Sequence, residues 1–240
     1  GFESDAERRP YLQEGMTIAT AAWQHPPVTV AVDEGASSGS GQTASGFAQS
    51  SPGMIVQFAV YGLITSAMVL VIERQVGALG RLRTTPIRPV ALIGGHVLAM
   101  FAVVLLQQVL LVALGQWAFG VAYGRAPLAI LLVMVALASW AASLGLLIGA
   151  ISRSEEQVII WSLVAMFVFS ALGGAWFPLE LAGEAFAAIG HLMPTAWAMD
   201  GFQNVVVRGL GLRSVLLPSG MLLLYAAAFF GIAVCRWRFE

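Results

Sequence analysis

Apolar residues fall into five long blocks, residues 54–72, 91–119, 128–151, 158–177 and 215–235, separated by short polar or arginine-bearing breaks. A helix rising about 1.5 Å per residue needs about 20 residues to cross about 30 Å of hydrocarbon, and each block is near or above that length. The second is long enough to require tilt or an interfacial extension. In lipid all five must be helices, because an open sheet edge would leave backbone groups without partners. The pattern ahead of Met54 differs. Residues 1–53 carry Glu3, Asp5, Glu7, Arg8, Arg9, Glu14, Asp33 and Glu34, one alternating strand-like run over residues 28–32, and a Gly/Ser tract over residues 35–46 with the composition of a flexible linker. So small a piece does not build a core alone. The expectation is therefore an all-α polytopic membrane protein of five transmembrane helices, residues 54–240, behind a small aqueous segment, residues 1–53.

Residues 177–213 are too apolar for a free loop, and Gly183, Gly190, Pro194 and Gly201 interrupt them too often for a further continuous span. Short interfacial or re-entrant helices fit this pattern, with Thr195 as an N-cap of the second. Trp176, Phe177 and Trp197 suit the headgroup level, where amphipathic rings settle.

Composition narrows the function. Only 10% of residues are charged and 58% are hydrophobic, whereas a soluble domain carries about 25% charged. The 12 basic residues are all arginine. Without lysine the chain cannot supply the ammonium of a G-x-x-x-x-G-K-[ST] phosphate loop, so it is no P-loop ATPase by itself. A formal charge of −1 offers no field for nucleic acid. The lone Cys235 excludes an intrachain disulfide or a multi-thiolate metal site, and His25, His96 and His191 are far apart, so no metal is expected. Arg74, Arg81, Arg83, Arg88, Arg153, Arg236 and Arg238 flank spans on one side, against Arg125, Arg208 and Arg213 on the other. The richer side is expected to be cytoplasmic, which places residues 1–53 outside and the C-terminus inside.

Two sets of residues are candidates for chemistry or movement. Residues 73–90 read ERQVGALGRLRTTPIRPV, in which Val76, Leu79 and Leu82 give a short surface helix one apolar face, while Pro86 and Pro89 force a break before the next span. By charge alone this is a positive-inside loop whose arginines meet lipid phosphate. His96, Gln107, Gln108 and Gln116 are polar groups in or beside the second block, which lipid penalises unless they pair across helices or line a path. Gln107 and Gln108 are neighbours and point about 100° apart, so they cannot share one narrow face. Gly145 and Gly149 form G-x-x-x-G, extended by Ala141, where helices can approach closely, within one subunit or between two. The string Gly35-Ala36-Ser37-Ser38-Gly39 matches a nucleophile elbow, but no helical pattern or ordered acid and base follows it. Glu155 and Glu156 read as solvated charges beside Arg153.

The run E-R-x-x-G-x-L-x-R-L-R-x-T-P, here Glu73 to Pro86, resembles the cytoplasmic signature of ABC-2 type permeases, the membrane subunits of one class of ATP-binding-cassette transporters. SGFAQSSPGM (residues 45–54), GGAWFPLE (173–180) and MPTAWAMDGFQNVVVRG (193–209) resemble further stretches of that family. Gly80, mid-helix, and the absence of proline over residues 181–187 depart from its pattern. The resemblance implies that the five blocks are family spans two to six, with the first span and most of an extracellular domain lying upstream of Gly1. It implies an exporter in the bacterial or archaeal cytoplasmic membrane, moving a hydrophobic or amphipathic substrate such as a drug, lipid or glycan. Glu73, Arg74, Val76, Gly77, Leu79, Arg81, Leu82, Arg83 and Pro86 would couple it to a separate cytoplasmic ATPase that holds the ATP and magnesium. A second permease subunit would complete the path, and Trp176, Phe177, Pro178, Pro194 and Trp197 would form an external gate. The chain itself would be no enzyme and bind no cofactor. The competing classes are an intramembrane enzyme, which needs a nucleophile and base or paired carboxylates inside the spans, and a membrane scaffold.

Overall fold

A computed structural model describes residues 46–77, 89–177, 179 and 183–236. The chain divides into two units, Gly1–Thr43 and Ala44–Glu240, and every described residue lies in the second. The expected strand-like run and Ser37 thus lie outside the described residues.

The described elements are helical, and five stretches are long and apolar enough to cross a membrane. The first span is built from two helices, α1 (Gly46–Tyr61) and α2 (Leu63–Gln75), interrupted at Gly62. Then come α3 (Pro89–Phe119), a short 3-10 turn (Tyr123–Arg125), α4 (Pro127–Ile151) and α5 (Glu155–Leu172). Two short helices, α6 (Glu184–Gly190) and α7 (Pro194–Val206), precede a second 3-10 turn (Leu212–Val215) and the last span, α8 (Leu216–Arg236).

Local chemistry explains most boundaries. Pro89 and Pro127 stand at the starts of α3 and α4, where a missing N–H costs nothing. Ser154 caps α5 by accepting from the Gln157 N–H at 3.4 Å, and Glu155 and Glu156 follow in the first turn, where the helix dipole favours them. Three boundaries differ from expectation. α1 begins at Gly46, so the division expected after residue 53 falls inside a helix. α5 stops at Leu172 rather than running to Phe177, because Gly174 turns the backbone with φ 76° although the apolar run continues. Thr195 is not a cap: Met193 is the N-cap residue of α7, and the Thr195 hydroxyl instead donates to the Phe169 carbonyl at 2.6 Å.

α4 is the axis of the bundle. In its most apolar stretch 72% is buried inside the protein, against 17% for α3, 22% for α5 and 28% for α8. A helix apolar all round belongs in an interior. α8 covers its largest face, and α3 and α2 cover two others. Gly145 and Gly149 of α4 face Leu63, Ala67 and Leu70 of α2, so the small-residue pair serves packing within the chain. Two clusters fill the core. The larger centres on Leu137, Trp140 and Phe202, and the smaller joins Leu70, Ile93, Met100, Leu146 and Ala233. The smaller cluster brings together the end of α2, the start of α3 and the ends of α4 and α8, which defines one end of the bundle as the arginine-bearing one.

Candidate functional site

At the arginine-bearing end the last turn of α2 carries Glu73 and Arg74. Glu73 Oε2 lies 2.7 Å from His96 Nε2 of α3, with side-chain exposures of 37% and 15%. Two residues expected in different roles, coupling and path, therefore meet in one interhelical contact. The Arg74 guanidinium donates through Nη1 to the Gly149 carbonyl at 3.3 Å, and Gln75 Nε2 donates to the Arg153 carbonyl at 3.2 Å. The end of the first span is thus tied to α3, to α4 and to the turn after α4. A part-exposed pair such as Glu73–His96 contributes little more than about 0–1 kcal/mol, so these contacts orient the end more than they stabilise it.

Val76 does not lie on a separate short helix. Its N–H closes onto the Ile72 carbonyl at 2.9 Å as the C-cap of α2, and Gly77 follows with φ 70°, which ends the helix. The Val76 side chain is exposed (63%), an apolar surface beside Glu73 and Arg74. Leu79, Arg81, Leu82, Arg83 and Pro86 lie outside the described residues.

The three glutamines of α3 take three different positions. Gln107 Nε2 donates to the Phe58 carbonyl of α1 at 3.0 Å. Gln108 is fully buried, and neither of its amide atoms has a hydrogen-bond partner among the described residues, an arrangement that costs stability in a low-dielectric interior. Gln116 is exposed near the far end of α3, alongside Gly124. The three do not meet at one place in the bundle. An open groove of about 410 Å³ lies elsewhere, between α3, α4 and α8, walled by Phe101, Ala142, Ala226 and Phe230. Ser139 and Ser143 also reach it, but their hydroxyls donate to the carbonyls of Val135 and Ser139 in their own helix, so the groove stays apolar.

At the opposite end the expected gate residues are held by different partners. Trp176 Nε1 donates to Gln57 Oε1 of α1 at 3.1 Å, and its ring stands edge-on to Phe167 at 5.7 Å. Trp197 Nε1 donates to the His191 carbonyl at 2.9 Å, and its indole stands edge-on to the His191 ring at 5.5 Å. Phe177 is exposed, Pro194 is buried at the start of α7, and Pro178 lies outside the described residues.

Several ties at this end escaped the sequence. Ser51 and Tyr123 share a hydrogen bond of 2.7 Å, and burial pushes the Tyr123 phenol up to about 12 while that bond opposes the shift. His191 Nδ1 donates to the Ala187 carbonyl at 2.8 Å, and its Nε2 faces Asp200 Oδ2 at 2.9 Å. Gln57 carried a usable signal, since an amide inside an apolar block needs a partner. The Ser51–Tyr123 and His191–Asp200 pairs carried none.

Comparison with known proteins places this geometry. The family model for ABC-2 family transporter proteins matches residues 12–235. The chain is 26% identical over 198 residues to the linearmycin resistance permease protein LnrN of Bacillus subtilis (strain 168), covering 82% of this chain and 51% of the relative. It is 28% identical over 187 residues to the inner membrane transport permease YhhJ of Escherichia coli (strain K12), covering 77% and 50%. It is 28% identical over 164 residues to the ABC transporter G family member 20 of Dictyostelium discoideum, covering 68% and 22%. The chain therefore spans about half the length of the two bacterial permeases. No solved structure matches it. With a family match running from before α1 to the end of α8, the chain belongs to the ABC-2 family of transporter proteins.

Proposed function

We propose that the chain is the membrane-spanning part of a permease subunit in an ABC exporter. It forms, with a second permease subunit, the path for a hydrophobic or amphipathic substrate, and a separate cytoplasmic ATPase binds ATP and magnesium and supplies the work. The observation that carries this reading is the family match over residues 12–235, joined to an arginine-bearing end where Glu73, Arg74 and Gln75 bind three neighbouring elements. That end is the cytoplasmic one by arginine placement. An ATPase docking beside the exposed Val76 and the segment through Pro86 would displace the end of α2, and packing rather than charge would carry the force. The relative named for linearmycin resistance and the apolar groove both favour efflux of a substrate with a large apolar surface. Trp176 and Trp197, at the opposite end, would stand where the substrate leaves.

The distribution of acids speaks against an intramembrane enzyme. Within the described spans the carboxylates are Glu73, Glu155 and Glu156, all at the arginine-bearing end, so no paired acid and base stands in the middle of the bundle. The test is reconstitution of the full-length permease with its partner ATPase in liposomes. ATP-dependent movement of an amphipathic dye, abolished by a Walker-lysine substitution in the ATPase, is the expected outcome; dye movement that persists without the ATPase would overturn the proposal.

A further inference from the structure

The two halves of the first span are anchored to different parts of the protein. α1 is held at the end opposite the arginines: Ser51 bonds Tyr123, Gln57 accepts from Trp176, and Gly53 packs directly against the Ala175 backbone. α2 is held at the arginine-bearing end by Glu73–His96, Arg74 to the Gly149 carbonyl and Gln75 to the Arg153 carbonyl. Between the two sets of ties the helix is interrupted at Gly62.

The interruption has a built environment. The Phe58 carbonyl accepts twice, from the Gly62 N–H at 2.9 Å and from Gln107 Nε2 of α3 at 3.0 Å. One turn on, the Thr65 hydroxyl donates to the Gly62 carbonyl at 3.0 Å, a back-bond of the kind that bends helices. A side chain inserted against the carbonyl ladder is a recognised cause of a helix break. The space belongs to Gln107: a methyl added at Gly62 would stand 2.6 Å from Gln107 Oε1. That oxygen ends a flexible side chain, so alanine at 62 would push the amide away from Phe58 without unwinding either helix.

We propose that Gly62 is a hinge in the first span and that Gln107, through the Phe58 carbonyl, is the positioning residue that sets its bend. Gly62 keeps helical dihedrals (φ −59°, ψ −17°) and its bond to Phe58, so the interruption is a local weakening of the span, and it is the place between the two sets of ties where the halves can bend most easily. Gln107 is part-exposed on an apolar span, where lipid would offer its amide no other partner than this carbonyl, so it selects one angle over others. On the transport reading above, a push at Glu73 would reach Ser51 and Trp176 as a change in this angle; the hinge itself does not depend on that reading.

The test uses the full-length permease in lipid nanodiscs with Cys235 replaced by serine. Spin labels at the exposed positions Met54 and Val76 report the distance between the two halves. Gln107→Met keeps the volume and removes the donor, and it should shift and broaden the distance distribution. Gly62→Ala should do the same, and the double variant should go no further than Gln107→Met alone, because both act on one contact. Gln116→Met, remote from the hinge, should leave the distribution unchanged. An unaltered distribution in Gln107→Met, or additive effects in the double variant, overturns the hinge. In the complex with the ATPase, Gln107→Met should lower transport per ATP hydrolysed by roughly threefold or more. Altered distances with unchanged transport would remove the role in coupling and leave the hinge standing.

Discussion

The two glycines of the G-x-x-x-G string are not equivalent residues. An added methyl at Gly145 would make ordinary contacts, 3.4 Å to Leu63 and 3.5 Å to the Met100 sulfur, whereas at Gly149 it would stand 2.6 Å from a methyl of the fully buried Leu70. Gly145→Ala should therefore change stability by no more than about 0.5 kcal/mol. Gly149→Val should cost about 1–3 kcal/mol by overpacking, read as a lower melting temperature in detergent, with Gly145→Ala as the reference. Tyr123 gives a second prediction. Removing its hydroxyl with Tyr123→Phe deletes the bond to Ser51 and should cost about 1 kcal/mol. The phenol is raised from 10.0 to about 12, so what the neutral form lends to the fold is intact below pH 10 and is lost as pH rises through about 12. Tyr123→Phe should flatten that alkaline limb of the stability profile. Neither the asymmetry of the glycines nor the Ser51–Tyr123 bond was legible in the sequence, because both depend on which residues of distant helices face one another.

At the scale of elements, five helical spans were legible because lipid leaves the backbone no other choice once apolar blocks reach about 20 residues. Their ends were less so. Hydropathy measures how far a greasy run extends, and it cannot register that the helix ends at Leu172 and that Gly174 takes a positive φ while Ala175, Trp176 and Phe177 continue the run. The same blindness gave Val76 to a separate short helix, when Gly77 makes it the last residue of the first span's cap. The apolar surface survives this change, since Val76 remains exposed next to Glu73. Val76→Asp and Leu82→Asp should each leave membrane insertion intact and lower transport at least tenfold without stopping ATP hydrolysis by the partner. Unchanged transport in both would exclude this stretch from the coupling contact. Of the glutamines, Gln107 meets the Phe58 carbonyl while Gln108 beside it is packed inside, a difference the sequence does not carry, since a single position along α3 decides whether an amide meets a carbonyl or a packed interior.

For the molecule as a whole, the order of contact differs from the order of the chain. α4, third of the five spans, is enclosed on its largest face by α8, the last. Val133 and Gly201 also meet, and Pro218 of α8 lies within 4 Å of a methyl placed on Gly201, so α7 is wedged into the same seam. As the ribosome feeds the spans into the bilayer one by one, this seam stays open until the final helix arrives. Nascent chains halted after Arg213 should keep Ala142 and Ser143, which line the groove beside Ala226 and are buried in the full chain, accessible to a membrane-permeant label at cysteine substitutions, and release of the full chain should protect them. The axis of the bundle is inserted early and finished late, which makes the closing stages of synthesis the interval in which a quality-control protease finds this protein most vulnerable.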